Sequence, residues 1–216
     1  MLRILVVDDH PIFRQGVIRI ISNTPDMIVA GEANDGQDAL NKIMENDYDL
    51  ILLDISMPRK TGIEVIRELR GINPKLKVLV LTIYPEKQYA LRVLKAGASG
   101  YLTKERAPDE LIQALRTVAS GGKYIPSSIA ESVVMDWGKT LEKPLHENLS
   151  NREYQIMRMI VSGQKVGEIA RDLSISVKTV KTHRSRILSK MKMSGNTELI
   201  HYAIKNGLVG DVTPVS

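Results

Sequence analysis

A doubly wound α/β fold, with a parallel sheet of five strands followed by a small all-helical domain, is predicted by three observations on this 216-residue chain. Over the first 120 residues, short apolar runs alternate with longer amphipathic stretches. That is the pattern of a parallel sheet buried on both faces and covered by helices. Four of the runs end on residues with chemistry: Ile4-Leu5-Val6-Val7 leads into Asp8-Asp9, Asp49-Leu50-Ile51-Leu52-Leu53 into Asp54, Val78-Leu79-Val80-Leu81 into Thr82, and Gly100-Tyr101-Leu102-Thr103 into Lys104. After Leu149 the apolar spacing becomes wholly helical.

The strands fall near 3–7, 28–33, 49–53, 77–82 and 99–103, with helices at 11–22, 36–45, 62–70, 86–96 and 108–120. Pro11 and Pro108 sit in first turns, where a missing N–H costs nothing. Gly97 and Gly121 stand where helix C-terminal glycines are expected. Five βα units joined by right-handed crossovers predict strand order 2-1-3-4-5. From 121 to 147 the alternation breaks at Gly121-Gly122, Pro126-Ser127-Ser128, Gly138 and Pro144. This stretch reads as a linker with room for one helix near 128–137. Four helices follow, at 151–162, 166–173, 177–191 and 196–206, separated or ended by Gly163, Gly195 and Gly207. The predicted division is 1–120, a linker 121–147, and 148–211.

A hydrophobic content of 43% and a charged content of 25% describe an ordinary soluble globular protein. The absence of cysteine excludes disulfides, thiolate catalysis and cysteine-ligated metal. No apolar run approaches the roughly 18 residues that span a bilayer, and Asp8-Asp9 interrupts the N-terminal run too early for a signal peptide. A cytoplasmic protein without a membrane partner is expected. The net charge of +5 is uneven. Residues 1–120 carry 16 basic and 16 acidic side chains, so the excess lies in the remaining 14 and 9. That asymmetry points to an anionic partner for the C-terminal part.

Ligands of parallel α/β sheets bind at the carboxyl ends of the strands. Asp8, Asp9, Asp54, Thr82 and Lys104 therefore converge on one edge. Crowded carboxylates require a cation between them, and oxygen ligands of this kind favour Mg²⁺ or Mn²⁺. Thr82 is placed to hydrogen-bond one phosphoryl oxygen and Lys104 to neutralise another, with Asp54 as acceptor in an acyl phosphate.

Asp8-Asp9, Asp54-Ile55-Ser56-Met57-Pro58, Thr82 and Gly100-Tyr101-Leu102-Thr103-Lys104 together resemble the receiver domain of two-component response regulators, over roughly residues 1–120, a fold of the flavodoxin-like type. The resemblance implies that Asp54 takes a phosphoryl group from a sensor histidine kinase. It also implies that Asp9, Asp54 and the Ser56 carbonyl hold Mg²⁺ with Asp8 assisting, and that Thr82 and Tyr101 form a switch pair. Two positions depart from the commonest pattern. Glu105 follows Lys104 in place of proline, so the familiar cis-proline turn is absent. Ile83 follows Thr82 where many receivers carry a small residue, which bears on access to the phosphoryl group and on its lifetime.

Residues 166–189 read as two helices broken at Ser174-Ile175-Ser176. The first places Val166, Ile169, Ala170 and Leu173 on one face. The second is N-capped by Ser176 and places Val177, Val180, Ile187, Leu188 and Met191 on its apolar face. From Ser174 to Lys192 there are six lysines and arginines and no acid. This is a helix-turn-helix whose basic second helix suits the major groove. Leu149-Ser150-Asn151-Arg152-Glu153, Gly163, Glu168-Ile169-Ala170, Leu173, Ser176, Thr179-Val180-Lys181, His183, Ile187 and Lys190-Met191 resemble the LuxR-type helix-turn-helix over about 148–211. The resemblance implies base-edge contacts from Lys181, Thr182 and Ser185 and phosphate contacts from Lys178, Thr179, His183 and Lys190. Asn196 departs from the pattern, which commonly has arginine there. Val166-Gly167 also replaces the usual polar pair. In the last helix, Leu199, Ile200, Ala203 and Ile204 share a side, part of it for the domain and part available to a second copy, as in this family. His10, His146 and His201 lack metal-ligand spacing and read as surface residues.

Both motif sets fit response regulators of the NarL/FixJ subfamily, which implies a bacterial transcription regulator, not an enzyme, in which phosphorylation controls promoter binding through dimerisation, interdomain release or both. The implied partners are a sensor histidine kinase, double-stranded promoter DNA with pseudopalindromic half-sites, a second copy of the chain when phosphorylated, and RNA polymerase as a further candidate. Two other readings compete. One is a constitutive DNA-binding protein whose first domain only dimerises. The other is a metal-dependent aspartyl-phosphate phosphatase, which usually needs a second acid two residues after the nucleophile, where this chain has Ser56.

Overall fold

In the computed structural model, which describes residues 1–58, 60–125, 129 and 144–208, the first half forms β1 (Leu2–Val7), α1 (Pro11–Ser22), β2 (Met27–Ala33), α2 (Gly36–Glu45), β3 (Leu50–Leu53), α3 (Gly62–Ile72), β4 (Lys77–Thr82), α4 (Glu86–Lys95), β5 (Gly100–Thr103) and α5 (Ala107–Ala119). All strands are parallel in the order β2-β1-β3-β4-β5. The strands are buried because alternate residues face two helical layers. Ile4, Val6, Leu50, Leu52, Leu79, Leu81 and Leu102 pack with Val17 and Ile21 of α1 and with Leu111, Leu115 and Val118 of α5. Leu5, Val7, Ile51, Leu53, Val78 and Val80 turn to the other face and are equally buried. Each such side chain contributes about 1.5–3 kcal/mol, so the strand ends project from a rigid base.

Helix starts follow their local chemistry. Pro11 opens α1, and the Asp35 carboxylate accepts from the amides of Gln37 and Asp38 at the start of α2. Thr61 and Glu64 form a capping box on α3. Gly62, the first residue of α3, lies so close to the Asp54 carbonyl and the Ile55 Cα that any side chain there would collide with backbone. Its lack of a Cβ lets α3 start directly against the loop after β3. After α5, Tyr124 pairs with Gly100 as one more parallel bridge beyond β5. Its carbonyl accepts from the Tyr101 amide at 2.9 Å, and its hydroxyl reaches Glu110 Oε2 at 2.5 Å. Burial and that carboxylate push the Tyr124 hydroxyl up to about 12.

The chain divides into two compact units, 1–139 and 140–216. The helix expected near 128–137 falls, apart from Ile129, outside the described residues. The second unit opens with a 3-10 turn (Leu145–Asn148), followed by α6 (Asn151–Val161), α7 (Val166–Asp172), α8 (Val177–Met191) and α9 (Asn196–Lys205). Its core is Tyr154, Ile156, Met157, Ile169, Val180, Ile187, Met191, Leu199 and Ala203. For the described strands and helices the predicted boundaries hold to within two residues. Two expectations for side chains do not. Val177, the first residue of α8, is 45% exposed, whereas Val180, Ile187 and Met191 are buried. His146 is half-buried, with Nδ1 2.9 Å from the Tyr202 hydroxyl of α9.

Candidate functional site

The sheet ladder continues one residue past three strands. The Asp8 amide donates to Ala33 O at 3.1 Å, Asp54 to Val7 O at 2.9 Å, and Lys104 to Thr82 O at 2.8 Å. Asp8 and Asp54 therefore stand side by side on neighbouring strands, and the long Lys104 side chain reaches them from the end of β5, across β4. Lys104 Nζ lies 2.7 Å from Asp54 Oδ2 and 2.7 Å from Asp8 Oδ2, with the Phe13 ring face 4.5 Å away. Asp54 is 1% exposed. Its other oxygen accepts from the Ser56 amide at 2.9 Å, which ties down the loop carrying the Ser56 carbonyl.

The electrostatics follow from burial. Desolvation pushes the Asp54 carboxyl up; Lys104 pulls it down, and Asp8 adds to the push. Burial pulls the Lys104 ammonium down, but the charge of Asp54 and hydrogen bonds to Asp54 and Asp8 carry it above its ordinary value. Asp9 is also raised, first by burial, against the opposing pull of His10. Its Oδ1 is buried without a hydrogen bond, although His10 Nδ1 lies 3.0 Å away. Ligand atoms of Asp8, Asp9, His10 and Asp54 all lie within 4.8 Å of one another. An unsatisfied carboxylate oxygen beside two further acids fits a hard divalent cation.

Thr82 is fully buried, and its Oγ1 accepts from the Tyr84 amide at 3.4 Å. Tyr101 is also fully buried and donates its hydroxyl to Tyr84 O at 2.8 Å. Tyr84 in turn reaches Ser56 Oγ with its hydroxyl at 3.3 Å and stacks on Tyr89 with centroids 4.3 Å apart. The loops after β3 and β4 are thereby joined through one ring. Ile83 is 63% exposed beside this arrangement. Among the described residues there is no cis peptide bond.

The second site is α8. Ser176 caps it by accepting from the Thr179 amide at 3.0 Å, and the Ser176 and Thr179 hydroxyls lie 2.8 Å apart. Lys178, Lys181, Thr182 and Ser185 are exposed, and Thr179 is half-buried. Val177 stands exposed beside them. Two expected phosphate contacts are otherwise engaged. Lys190 Nζ bonds Glu153 Oε2 at 2.6 Å. His183 is half-buried with Nδ1 enclosed and unbonded, and burial together with Arg152 lowers its pKa.

Sequence reasoning missed several residues that hold these sites. His10, taken for an ordinary surface residue, is more than half exposed yet keeps its ring over the acids, 3.2 Å from Asp8 Oδ1 and 4.0 Å from Asp54 Oδ2. Its adjacency to Asp8-Asp9 was the available signal. Arg152 donates to Leu173 O at 3.0 Å, closing the C-terminus of α7 just before Ser174, which adopts the left-handed conformation with φ 51°. Arg184 donates to Asn196 Oδ1 at 2.8 Å, so the departure at Asn196 is matched by a partner on α8. Within the described residues, no helix is long and apolar enough to cross a membrane.

Comparison with known proteins covers both sites. Residues 4–116 match the model of the response regulator receiver domain, and residues 147–203 that of bacterial regulatory proteins of the luxR family. The chain is 41% identical over 210 residues to the response regulator UvrY of Escherichia coli (strain K12), spanning 96% of each. Two solved structures are similar over most of the chain. RcsB from Salmonella enterica serovar Typhimurium, bound to promoter rprA in the presence of phosphomimetic BeF₃⁻, shows a TM-score of 0.62 at 25% identity, covering 94% of this chain and 98% of that one. A structure of two RcsB dimers bound to two parallel DNAs shows a TM-score of 0.58 at 27% identity, with the same coverage.

Proposed function

Because the chain belongs to the DNA-binding two-component response regulators of the NarL/FixJ type, with a receiver domain followed by a LuxR-type helix-turn-helix, we propose that Asp54 is its phosphoacceptor and that phosphorylation by a sensor histidine kinase controls promoter binding. The observation that carries this reading is the pair of 2.7 Å contacts from Lys104 to two buried carboxylates at adjacent strand ends. Such a protein holds a signal and is not a conventional enzyme. The boundaries 1–120, 121–147 and 148–211 go with the proposal, supported by the two matched spans and the two compact units.

In the proposed transfer an Asp54 oxygen forms a bond to phosphorus while the bond to the donor nitrogen or oxygen breaks. Lys104 stays beside the acceptor and faces the new negative charge, which helps hold the acyl phosphate. Asp8, Asp9, Asp54 and the Ser56 carbonyl would hold Mg²⁺ or Mn²⁺, which supplies charge neutralisation for the phosphoryl oxygens when bound. The Thr82 hydroxyl turns toward a phosphoryl oxygen and leaves the Tyr84 amide. That frees the loop whose carbonyl Tyr101 holds. Tyr101 also donates its amide to Tyr124, so the rearrangement reaches the residues leading out of the domain.

At the other end, Lys181, Thr182 and Ser185 would read base edges, while Lys178, Thr179, His183 and Lys190 would contact phosphates once any internal partners are released. A phosphorylated homodimer on pseudopalindromic promoter half-sites is supported by the exposed Ile204 of α9 and by the RcsB dimers on DNA. A cytoplasmic location fits this role.

The test is Asp54→Ala. With a small acyl-phosphate donor and Mg²⁺, the wild-type protein is expected to gain a base- and hydroxylamine-labile phosphoryl group and bind promoter DNA more tightly, and the variant to do neither. A variant with unchanged DNA affinity and expression while the kinase is active would make the receiver a mere dimerisation module. Lys181→Ala should weaken specific binding more than non-specific binding, by about 1–3 kcal/mol of discrimination; equal loss on both would remove Lys181 from the base contacts.

A further inference from the structure

Resting on the placing of α8 in the major groove, we infer that Val177 reads the C5-methyl group of a thymine and so adds a base preference to those of Lys181, Thr182 and Ser185. Val177 is 45% exposed, while Val180, Ile187 and Met191 of the same helix are buried. Of the described residues in the second unit, only Val177 and Ile204 are large hydrophobics left so exposed, and Ile204 lies on α9. A lone exposed apolar residue is ordinary on a protein surface; this one stands inside a strip of polar and basic side chains.

Helical spacing defines that strip. Val177 precedes Val180 by three positions and Lys181 by four, so it borders both the buried face and the exposed one. Val177, Lys181 and Ser185 follow one another at four-residue steps, and Lys178 and Thr182 form the row beside them. All five are exposed. The helix begins here, because the Ser176 hydroxyl caps it by accepting from the Thr179 amide at 3.0 Å. From Ser174 to Lys192 there are six lysines and arginines and no acid, so the surface around Val177 complements a polyanion.

Groove chemistry selects the ligand. Every base pair shows hydrogen-bonding atoms in the major groove, and thymine alone adds a methyl group. Lysine, threonine and serine can serve the donors and acceptors, whereas a branched aliphatic side chain matches only the methyl. In a helix-turn-helix the N-terminal residues of the second helix meet the base edges. A four-residue step is about 6 Å along the helix, and successive base pairs are about 3.4 Å apart. The thymine is therefore expected within about two base pairs of the base that Lys181 contacts.

The experiment uses the full chain with a small acyl-phosphate donor and Mg²⁺, and a duplex that it selects from random sequence. Each thymine of that duplex is replaced in turn by deoxyuridine, which removes the methyl and keeps every hydrogen-bonding atom. Wild type is expected to lose about fourfold in affinity at one thymine of each half-site, the effect of one buried methyl group. Val177→Ser should bind the unmodified duplex about fourfold more weakly per half-site and lose nothing further on uracil at that position. Its non-specific binding and salt dependence should match wild type. A wild-type scan that is flat at every thymine overturns the inference whatever the variant does, and so does a uracil loss that persists in full in Val177→Ser. Lys181→Ala separates the two levels. If it weakens specific binding while the scan is flat, α8 still reads bases and only the role of Val177 falls; a chain that selects no duplex removes the groove placement and the inference with it.

Discussion

Replacing Lys104 by alanine is expected to cost the receiver about 3 kcal/mol of stability at pH 7 without a divalent cation, as read by urea denaturation. The ammonium bridges two carboxylates that are 1% and 4% exposed, at 2.7 Å each. Without it, two buried negative charges face each other with no counter-charge, the case in which removing one ion partner is most damaging. Two conditions should restore much of the loss. Asp54 is already raised above its ordinary value near 3.8 by burial, and it loses the opposing pull of Lys104 in the variant. A group raised in the folded state contributes stability that is fully present below its unfolded pKa and lost as pH rises through the folded one. The variant's deficit should therefore shrink on acidification from pH 7 toward pH 4 and reach its full size above the raised pKa. Saturating Mg²⁺ should act in the same direction because the uncompensated carboxylates of the variant bind it more tightly than those of wild type, by about 1.4 kcal/mol for each tenfold difference in dissociation constant. A deficit insensitive to both pH and Mg²⁺ would mean that Lys104 serves packing, not charge.

Glu153→Ala is expected to remove about 3 kcal/mol from the DNA-binding unit, a large share for a domain of this size, and with it promoter binding at 37 °C. Glu153 closes the capping box by accepting from the Ser150 amide at 2.7 Å, while its own amide donates to Ser150 Oγ at 3.2 Å. The same carboxylate oxygen receives Lys190 from α8 at 2.6 Å. One buried acid thus starts α6 and anchors α8. Burial raises its pKa, but the bonds from Lys190 and Ser150 more than offset that and hold it below the ordinary value near 4.5. A group lowered in the folded state contributes stability present above its unfolded pKa and lost as pH falls through the folded one. The gap in thermal midpoint between wild type and variant should therefore be full above pH 4.5 and narrow below it. A constant gap from pH 3.5 to 7 would assign the loss to packing alone.

Much of this was legible in one dimension. The order β2-β1-β3-β4-β5 follows from five apolar runs joined by crossover helices, and the convergence of Asp8, Asp54 and Lys104 follows from their places one residue past strands of one parallel sheet, with the length of the lysine side chain spanning β4. Capping boxes at Thr61 and Ser150 are likewise local, four residues long, and readable as such. Lys190 and His183 show where this reading weakens. Both lie on a basic helix and carry the family's pattern, yet one is tied to a buried acid 37 positions away and the other is enclosed.

By itself the sequence determined the two-unit organisation, the strand and helix boundaries, the acidic strand edge and the basic helix, because hydrophobic period, caps and strand-end positions are properties of neighbours along the chain. Only the tertiary structure decided that Lys104 is shared between two carboxylates, that His10 turns its ring over the acids, that Tyr84 joins the loops after β3 and β4, and that Arg152 closes α7. Each of these depends on how elements distant in sequence pack, and on which polar groups that packing buries and obliges to find partners.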